Sequence, residues 1–298
     1  MNDTPQPTQG VSVVGLGSMG SGIARAFLQS GCRVSVWNRS REKVDALVSS
    51  GAIACDGPKE ALDANTHVVV CLSTYSAWQK IIEEHDLAAH FNDTCIIQLT
   101  TGTIEDVEGH ASLIKEHGGR LADGAVLCYP SQLGTEDGSL LMSGAAEVLE
   151  ECDPLLRVLA PTWTNLGEDI RQPAVLSRAL ISGMVTSLVG LINGVAICQA
   201  GGVSLDLFKE LFEGSNTIIK NEQARLINVI RDGLTEETEA SISAWGEGHQ
   251  AVLSVAETLK TDLLLQDAVQ AVFQEGHRMG LSDHDLSALV NVFALGSE

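Results

Sequence analysis

The sequence predicts an α/β chain: a doubly wound parallel sheet in the N-terminal half, a long interdomain helix, and an all-α C-terminal domain. Three observations predict it. Apolar runs alternate with amphipathic stretches from Val11 to Leu166, as when parallel strands are joined by crossover helices. The first two runs flank a glycine fingerprint, GLGSMG at residues 15–20. Past Gly167 the alternation stops, and residues 179–200, 22 in all, carry no charge.

The fingerprint follows a strand (Val11 to Val14), opens a helix, and is followed by a second strand, Arg33 to Trp37. In that setting Gly15 permits the tight turn, Gly17 lets the backbone approach a pyrophosphate, and Gly20 brings helix and sheet together. The free N–H groups at the helix start receive the anion, so Leu16, Ser18 and Met19 are expected against the cofactor with the glycines. This is a Rossmann unit, and the end of its second strand selects the dinucleotide. A carboxylate there would hold a ribose 2′-hydroxyl; this chain has Asn38, Arg39 and Ser40, with Lys43 behind them. Arg33, Arg39, Arg41 and Lys43 place four of the chain's 18 basic residues within eleven positions. Arg39 can pair bidentately with a 2′-phosphate and Ser40 can donate to it, so the expected cofactor is NADPH.

The rest of the sheet domain follows in order. Arg41 to Ser50 reads as helix, Ala52 to Ala54 as strand and Lys59 to Ala64 as helix. His67 to Leu72 is a buried strand ending in a loop, Ser73-Thr74-Tyr75, so Leu72, Ser73 and Thr74 are expected near the cofactor. Cys95 to Leu99 is the next strand, and Thr100 and Thr101 occupy the substrate-side turn, where they can bind the cofactor's ribose or the substrate nitrogen, Thr100 being counted with the cofactor residues. Thr103 and Asp106 form a capping-box pair for a helix from Ile104 to His117. Arg120 to Val126, Leu140 to Ser143, a helix from Ala146 to Leu159 and Trp163 to Leu166 complete the sheet domain. The domains are therefore expected as a disordered tail (1–10), a dinucleotide-binding domain (11–168) and a helical domain (169–298). In the latter, helices are expected at Pro173 to Ala200, Leu205 to Phe212, Thr217 to Ile230, Glu239 to Thr258, Leu264 to Gly276 and Asp283 to Phe293, with Glu213-Gly214 as a linker.

Composition narrows the partners. The formal net charge is −21, which repels nucleic acid and anionic membrane surfaces. Seven cysteines lie scattered without a CxxC pair or a Cys/His cluster, so no metal site is expected and a reducing cytoplasm fits. The N-terminus has neither the basic nor the apolar region of a signal peptide. The uncharged stretch is long enough to cross a bilayer. Ser182, Thr186, Ser187, Asn193 and Gln199 within it, and the lack of flanking basic clusters, favour burial in a homodimer interface instead.

A nicotinamide fold followed by a long helix and a helical domain resembles the β-hydroxyacid dehydrogenase superfamily. Its members carry a lysine near the start of the long helix, but here there is none between Lys115 and Lys209. The motifs GLGSMG, VWNRS (36–40), QLTTGT (98–103), DGAVLCYPSQLGT (123–135), GED (167–169) and ALISGM (179–184) instead resemble the imine reductases and reductive aminases, over nearly the whole chain. That resemblance implies NADPH-dependent reduction of a C=N bond, from an imine or from a carbonyl plus an amine. It also implies an intertwined homodimer, with each active site between one subunit's cofactor domain and the other's helical domain.

The branch usually carries Asp or Tyr on the long helix, at the position that falls on Ser177 here. A serine hydroxyl can hydrogen-bond an amine but is a poor acid; the same residue also reads as a helix-surface serine. Tyr129 and Thr101 are the other catalytic candidates. Arg178, Met184, Val185 (a tyrosine in some reductive aminases), Trp245 and His249 are the candidate substrate pocket, and the last two read equally well as a core pair. A β-hydroxyacid-type dehydrogenase using another acid, or a weakly catalytic NADPH-binding protein, are the alternatives.

Overall fold

The computed structural model of the chain describes residues 9–236 and 238–294; residues 1–8 of the expected tail lie outside them. The elements run β1 (Gly10–Val14), α1 (Ser18–Gln29), β2 (Arg33–Trp37), α2 (Arg41–Val48), β3 (Ile53–Ala54), α3 (Pro58–Asp63), β4 (His67–Val70), α4 (Tyr75–His85), β5 (Cys95–Gln98), α5 (Ile104–Glu116), β6 (Arg120–Val126), β7 (Leu140–Gly144), α6 (Ala146–Leu159) and β8 (Thr164–Asn165). Then come α7 (Gln172–Ala200), α8 (Leu205–Asp232), α9 (Ile242–Leu259), α10 (Leu264–Arg278) and α11 (Val290–Phe293). The sheet order is β3-β2-β1-β4-β5-β6-β7-β8, parallel except where β7 runs antiparallel to β6. The order reverses between β1 and β4, and such a switch point opens a crevice at the carboxyl ends of the strands.

The period of two along each strand divides the core. Val11, Val13, Val69, Cys95 and Ile97 pack with Ile23 and Phe27 of α1 and Leu155 and Leu156 of α6. Their neighbours Val14, Val68, Val70 and Ile96 pack with Leu62, Trp78, Ile82 and Ile114. Helices therefore cover both faces, which is why these strands read as continuous apolar runs. The Thr103–Asp106 capping box forms as expected.

Contacts divide the chain into two compact units, Met1–Ser182 and Gly183–Glu298. The division falls within α7, and Ala174, Ser177, Arg178 and Ile181 of its first half join β6 residues in lining one cavity. Three sequence expectations are corrected. Tyr75 does not end a loop but opens α4, a helix the sequence reading omitted, with Thr74 as N-cap accepting from the Ala77 N–H. The linker at Glu213-Gly214 is absent: α8 is one helix of 28 residues. A mid-helix glycine costs only about 1 kcal/mol against alanine, and the apolar spacing Leu207, Leu211, Ile218 continues across it. The last helix also shrinks, to a 3-10 turn at Leu286–Leu289 and then α11.

Within the second unit Asp285 is the knot. Its buried carboxylate accepts from the Ser287 N–H (2.9 Å), the Thr238 hydroxyl (2.9 Å) and the Arg225 guanidinium of α8 (3.0 Å). Burial alone would raise its pKa, but these donors outweigh burial and hold it below the ordinary value. Its contribution is therefore present above about pH 4 and lost as pH falls through the lowered folded value. Asp285→Ala is expected to cost about 2–3 kcal/mol in urea unfolding at neutral pH, the worth of a charge-assisted bond set. The gap from wild type should close at acid pH.

Candidate active site

A cleft of about 720 Å³ lies at the switch point, lined by the β1–α1 turn (residues 15–20), the end of β2 with Asn38, Arg39, Ser40 and Lys43, and Cys71, Leu72 and Ser73 after β4. The turn is held from behind: Asn38 Oδ1 accepts from the Leu16 N–H at 3.0 Å, and Asn38 Nδ2 donates to the Ser40 carbonyl. Gly17 is the N-cap of α1 and offers no side-chain cap, so the first-turn N–H groups face outward unpaired by one. Ser40 likewise caps α2 without a side-chain bond, and Arg39, Ser40 and Lys43 are exposed at the rim. α4 adds Ala77, Lys80, Ile81 and Glu84, residues that sequence reasoning missed with the helix itself. Thr74 as N-cap of α4, and the apolar spacing Tyr75, Trp78, Ile82, were the signals that could have found it.

The glycines test whether a dinucleotide fits. A Cβ at Gly20 would stand 1.9 Å from the Gly15 carbonyl oxygen, and one at Gly15 (φ 95°) 2.3 Å from that of Cys71. Gly17 differs: a Cβ there meets no protein atom within 4 Å, and its φ of −66° suits any residue. Two glycines serve the fold, while the third keeps clear only the space of the cleft. Unpaired amides, a basic rim and that clearance fit a phosphorylated dinucleotide.

A smaller cavity of about 50 Å³ lies at the ends of β5 and β6 under α7, and Thr100, Thr101, Asp123, Ser177 and Arg178 are among its lining. Thr100 joins it to the cleft side, its hydroxyl accepting from the Leu72 N–H at 3.0 Å. Ser177 is buried, and its hydroxyl donates to the Ala174 carbonyl at 3.3 Å. Asp123, which the sequence reading left unassigned, is 2% exposed and accepts a hydrogen bond from the Tyr75 hydroxyl. Burial pushes the Asp123 carboxyl up to about 7, the Tyr75 bond opposing this. Burial and the Asp123 charge in turn raise the Tyr75 hydroxyl well above its ordinary value. His110 packs edge-on against the Tyr75 ring, and burial lowers its pKa to about 4.

The other candidates lie elsewhere. Tyr129 is 76% exposed and lines neither space; Thr74 is engaged as a cap. In the second unit Met184, Val185 and Trp245 are exposed. His249 is buried, its Nε2–H donating to the Gln266 carbonyl at 2.9 Å while its ring packs on Phe273. The core-pair reading thus holds for His249 and not for Trp245. One Cys/His group that spacing could not reveal also converges. His67, Cys95 and Cys152, from β4, β5 and α6, bring potential ligand atoms within 4.8 Å of one another. Cys95 Sγ lies 3.4 Å from Cys152 Sγ, a contact that with burial drives the Cys152 thiol far up. His67 Nε2 lies 3.2 Å from Glu151, outside hydrogen-bonding geometry.

Residues 10–167, more than half of the chain, match the family of the NAD binding domain of 6-phosphogluconate dehydrogenase. An NADPH-dependent reductive aminase of Aspergillus oryzae is 24% identical over 96% of this chain and 97% of its own length. An imine reductase from Pseudomonas sp. is similar over 97% of this chain and 100% of that one, with a TM-score of 0.89 and 27% identity. An imine reductase from Myxococcus stipitatus in complex with NADP+ covers the same shares, with a TM-score of 0.90 and 26% identity.

The glycine geometry separates fold from ligand. Gly17→Ala should keep stability within about 1 kcal/mol, as for an exposed cap change, yet weaken dinucleotide binding at least about tenfold. Gly20→Ala should destabilise the protein outright. Equal binding by wild type and Gly17→Ala, read by fluorescence titration, would show that the phosphates lie elsewhere.

Proposed function

Because the chain belongs to the family of the NAD binding domain of 6-phosphogluconate dehydrogenase, we propose that it is an NADPH-dependent oxidoreductase of the imine reductase type. It reduces an imine, or a carbonyl plus an amine, to an amine. The observation that carries this reading is the cavity beside the cofactor cleft: it holds Ser177, Asp123 and Arg178 but no lysine, in a chain similar along its length to imine reductases. A hydroxyacid dehydrogenase must manage the proton and charge of a carbonyl oxygen, for which that superfamily's lysine serves. A protonated C=N carbon is already activated toward hydride.

Bound in the cleft, NADPH would supply the hydride. The chain's own residues do the rest. The first-turn amides of α1 hold the pyrophosphate, and Arg39, Ser40 and Lys43 hold the 2′-phosphate. Thr100 and Thr101 shape the substrate side, and the Ser177 lone pairs accept from the substrate N–H.

The second part of the proposal is a homodimer in a reducing cytoplasm. α7 is long and apolar enough to cross a bilayer, with mean hydropathy 1.9 and none of that window buried within the chain. Leu180, Met184, Val185, Leu188 and Ile192 on it are exposed, and so are Leu207, Leu211, Ile218 and Ile227 on the charged, amphipathic α8. A membrane span accounts for the first face but not for the second. A second copy accounts for both, and it would let Met184, Val185 and Trp245 line a substrate pocket. The seven free thiols suit the compartment.

NADPH consumption across cyclic imines, ketone–amine pairs and 3-hydroxy acids tests the reaction. Turnover of hydroxy acids alone would replace this reading with the dehydrogenase one, and tight NADPH binding without turnover would favour a binding protein. Arg39→Ala should weaken NADPH binding by about ten- to a hundredfold, the loss of a charge-assisted bond, and leave NADH nearly unchanged. Ser177→Ala should lower kcat/KM by about tenfold or less. In solution the protein should sediment as a dimer burying more than about 2,000 Å²; an active monomer at nanomolar concentration would refute this part.

A further inference from the structure

The reaction proposed above needs a proton at the substrate nitrogen whenever the imine arrives neutral, and Ser177 is a poor source. Its hydroxyl is spent on the Ala174 carbonyl, and a serine does not ionise near neutral pH. Arg178 holds its proton too tightly, since a guanidinium stays charged throughout the working range. Thr100 and Thr101 share the weakness of serine. Of the side chains lining the cavity, only the carboxyl of Asp123 can give up and regain a proton near neutrality.

Resting on that reading, we propose that Asp123 is the general acid of this site. As hydride reaches the C=N carbon, the Asp123 O–H bond breaks and an N–H bond forms. The two electrons of the hydride make the new C–H bond, and the C=N π pair takes the proton. Asp123 is left as a carboxylate and is reprotonated from solvent.

The surroundings suit the task. The Tyr75 hydroxyl donates to Oδ2 of Asp123, which leaves Oδ1 to carry the transferable proton and steadies the carboxylate once it has left. The groups facing this pair are few. His110 from α5 packs on the Tyr75 ring, with burial keeping it neutral at pH 7. Asp106, also from α5, raises Tyr75 by its charge, and Arg178 of α7 lines the same cavity. With desolvation dominant, the carboxyl sits at about 7, where an acid is both protonated and able to transfer at neutral pH.

The test compares a weakly basic neutral imine, 2-phenyl-1-pyrroline, with a permanently charged one, N-methyl-3,4-dihydroisoquinolinium, which needs no proton. Asp123→Asn keeps an acceptor for Tyr75. It should lower kcat/KM on the neutral imine by about 10² or more and change that on the charged one by less than about threefold. In wild type, kcat/KM on the neutral imine should fall as pH rises through about 7. Tyr75→Phe removes the donor that favours the ionised form and should move this limb to higher pH. Equal losses on both substrates, no loss on either, or an unmoved limb would overturn the assignment. If wild type reduces neither imine, the reductase reading falls instead. The proposal is then decided in the unliganded protein by infrared titration of the carboxyl band lost in Asp123→Asn, and titration in the ordinary carboxylate range overturns it.

Discussion

At the switch point of the sheet, three stretches of backbone compete for one small volume. The turn leaving β1, the first turn of α1 and the end of β4 pass so closely that side chains at Gly15 or Gly20 would overlap carbonyl oxygens. The Gly15 N–H donates to the Trp37 carbonyl and the Cys71 N–H to that of Val14, both within 3.0 Å, so β2 and β4 are stitched to the same turn. This crowding aims the open amides of α1 into the crevice. It also sets the distance from them to Arg39 and Ser40, one strand away. A cleft with this floor has little freedom to accept anything but an anionic, extended ligand.

From that fixed edge the structure reaches its second space through α4. One face of the helix, with Tyr75, Trp78 and Ile82, is buried. The other, with Lys80, Ile81 and Glu84, lines the cleft. Tyr75 extends from the buried face to Asp123 on β6, and the Leu72–Thr100 hydrogen bond runs alongside between the loops after β4 and β5. Cleft and cavity thus share supports, with α4 lining one and holding Asp123 of the other.

The architecture was legible because both periods are strong in this chain. An unbroken valine run such as Val68, Val69 and Val70 belongs to a sheet covered on both faces, and Thr103 with Asp106 announces a helix start in any setting. What escaped was of two kinds. α4 and the unbroken α8 were lost because local punctuation, the Ser73–Tyr75 loop and Gly214, was weighed above a spacing of apolar residues that overrides it. Asp123 and the His67, Cys95 and Cys152 group escaped for a different reason: their character comes from partners 28 to 85 positions away. An aspartate in a motif does not declare that a tyrosine will seal it from water, and the pKa that follows is a property of the packing. The usual residue of the branch drew attention to Ser177 for the same reason in reverse, since a position can be matched along a motif while its environment cannot.

The basic rim of the cleft sits in a chain that is strongly acidic elsewhere, and this governs how a ligand arrives as well as how it stays. A dinucleotide phosphate carries several negative charges and would meet, once within about a Debye length of the surface, the field of a body of net charge −21. Only within the last few ångströms would Arg39 and Lys43, exposed at the rim, outweigh that repulsion. Added salt therefore acts in two opposite ways. It lowers the distant barrier and speeds encounter, while it loosens the grip on the phosphate and shortens residence. Most proteins that capture nucleotides through basic patches lose on both counts as ionic strength rises. Here the two effects oppose each other, so occupancy of this cleft should respond less to ionic strength than the more salt-sensitive of the two rates.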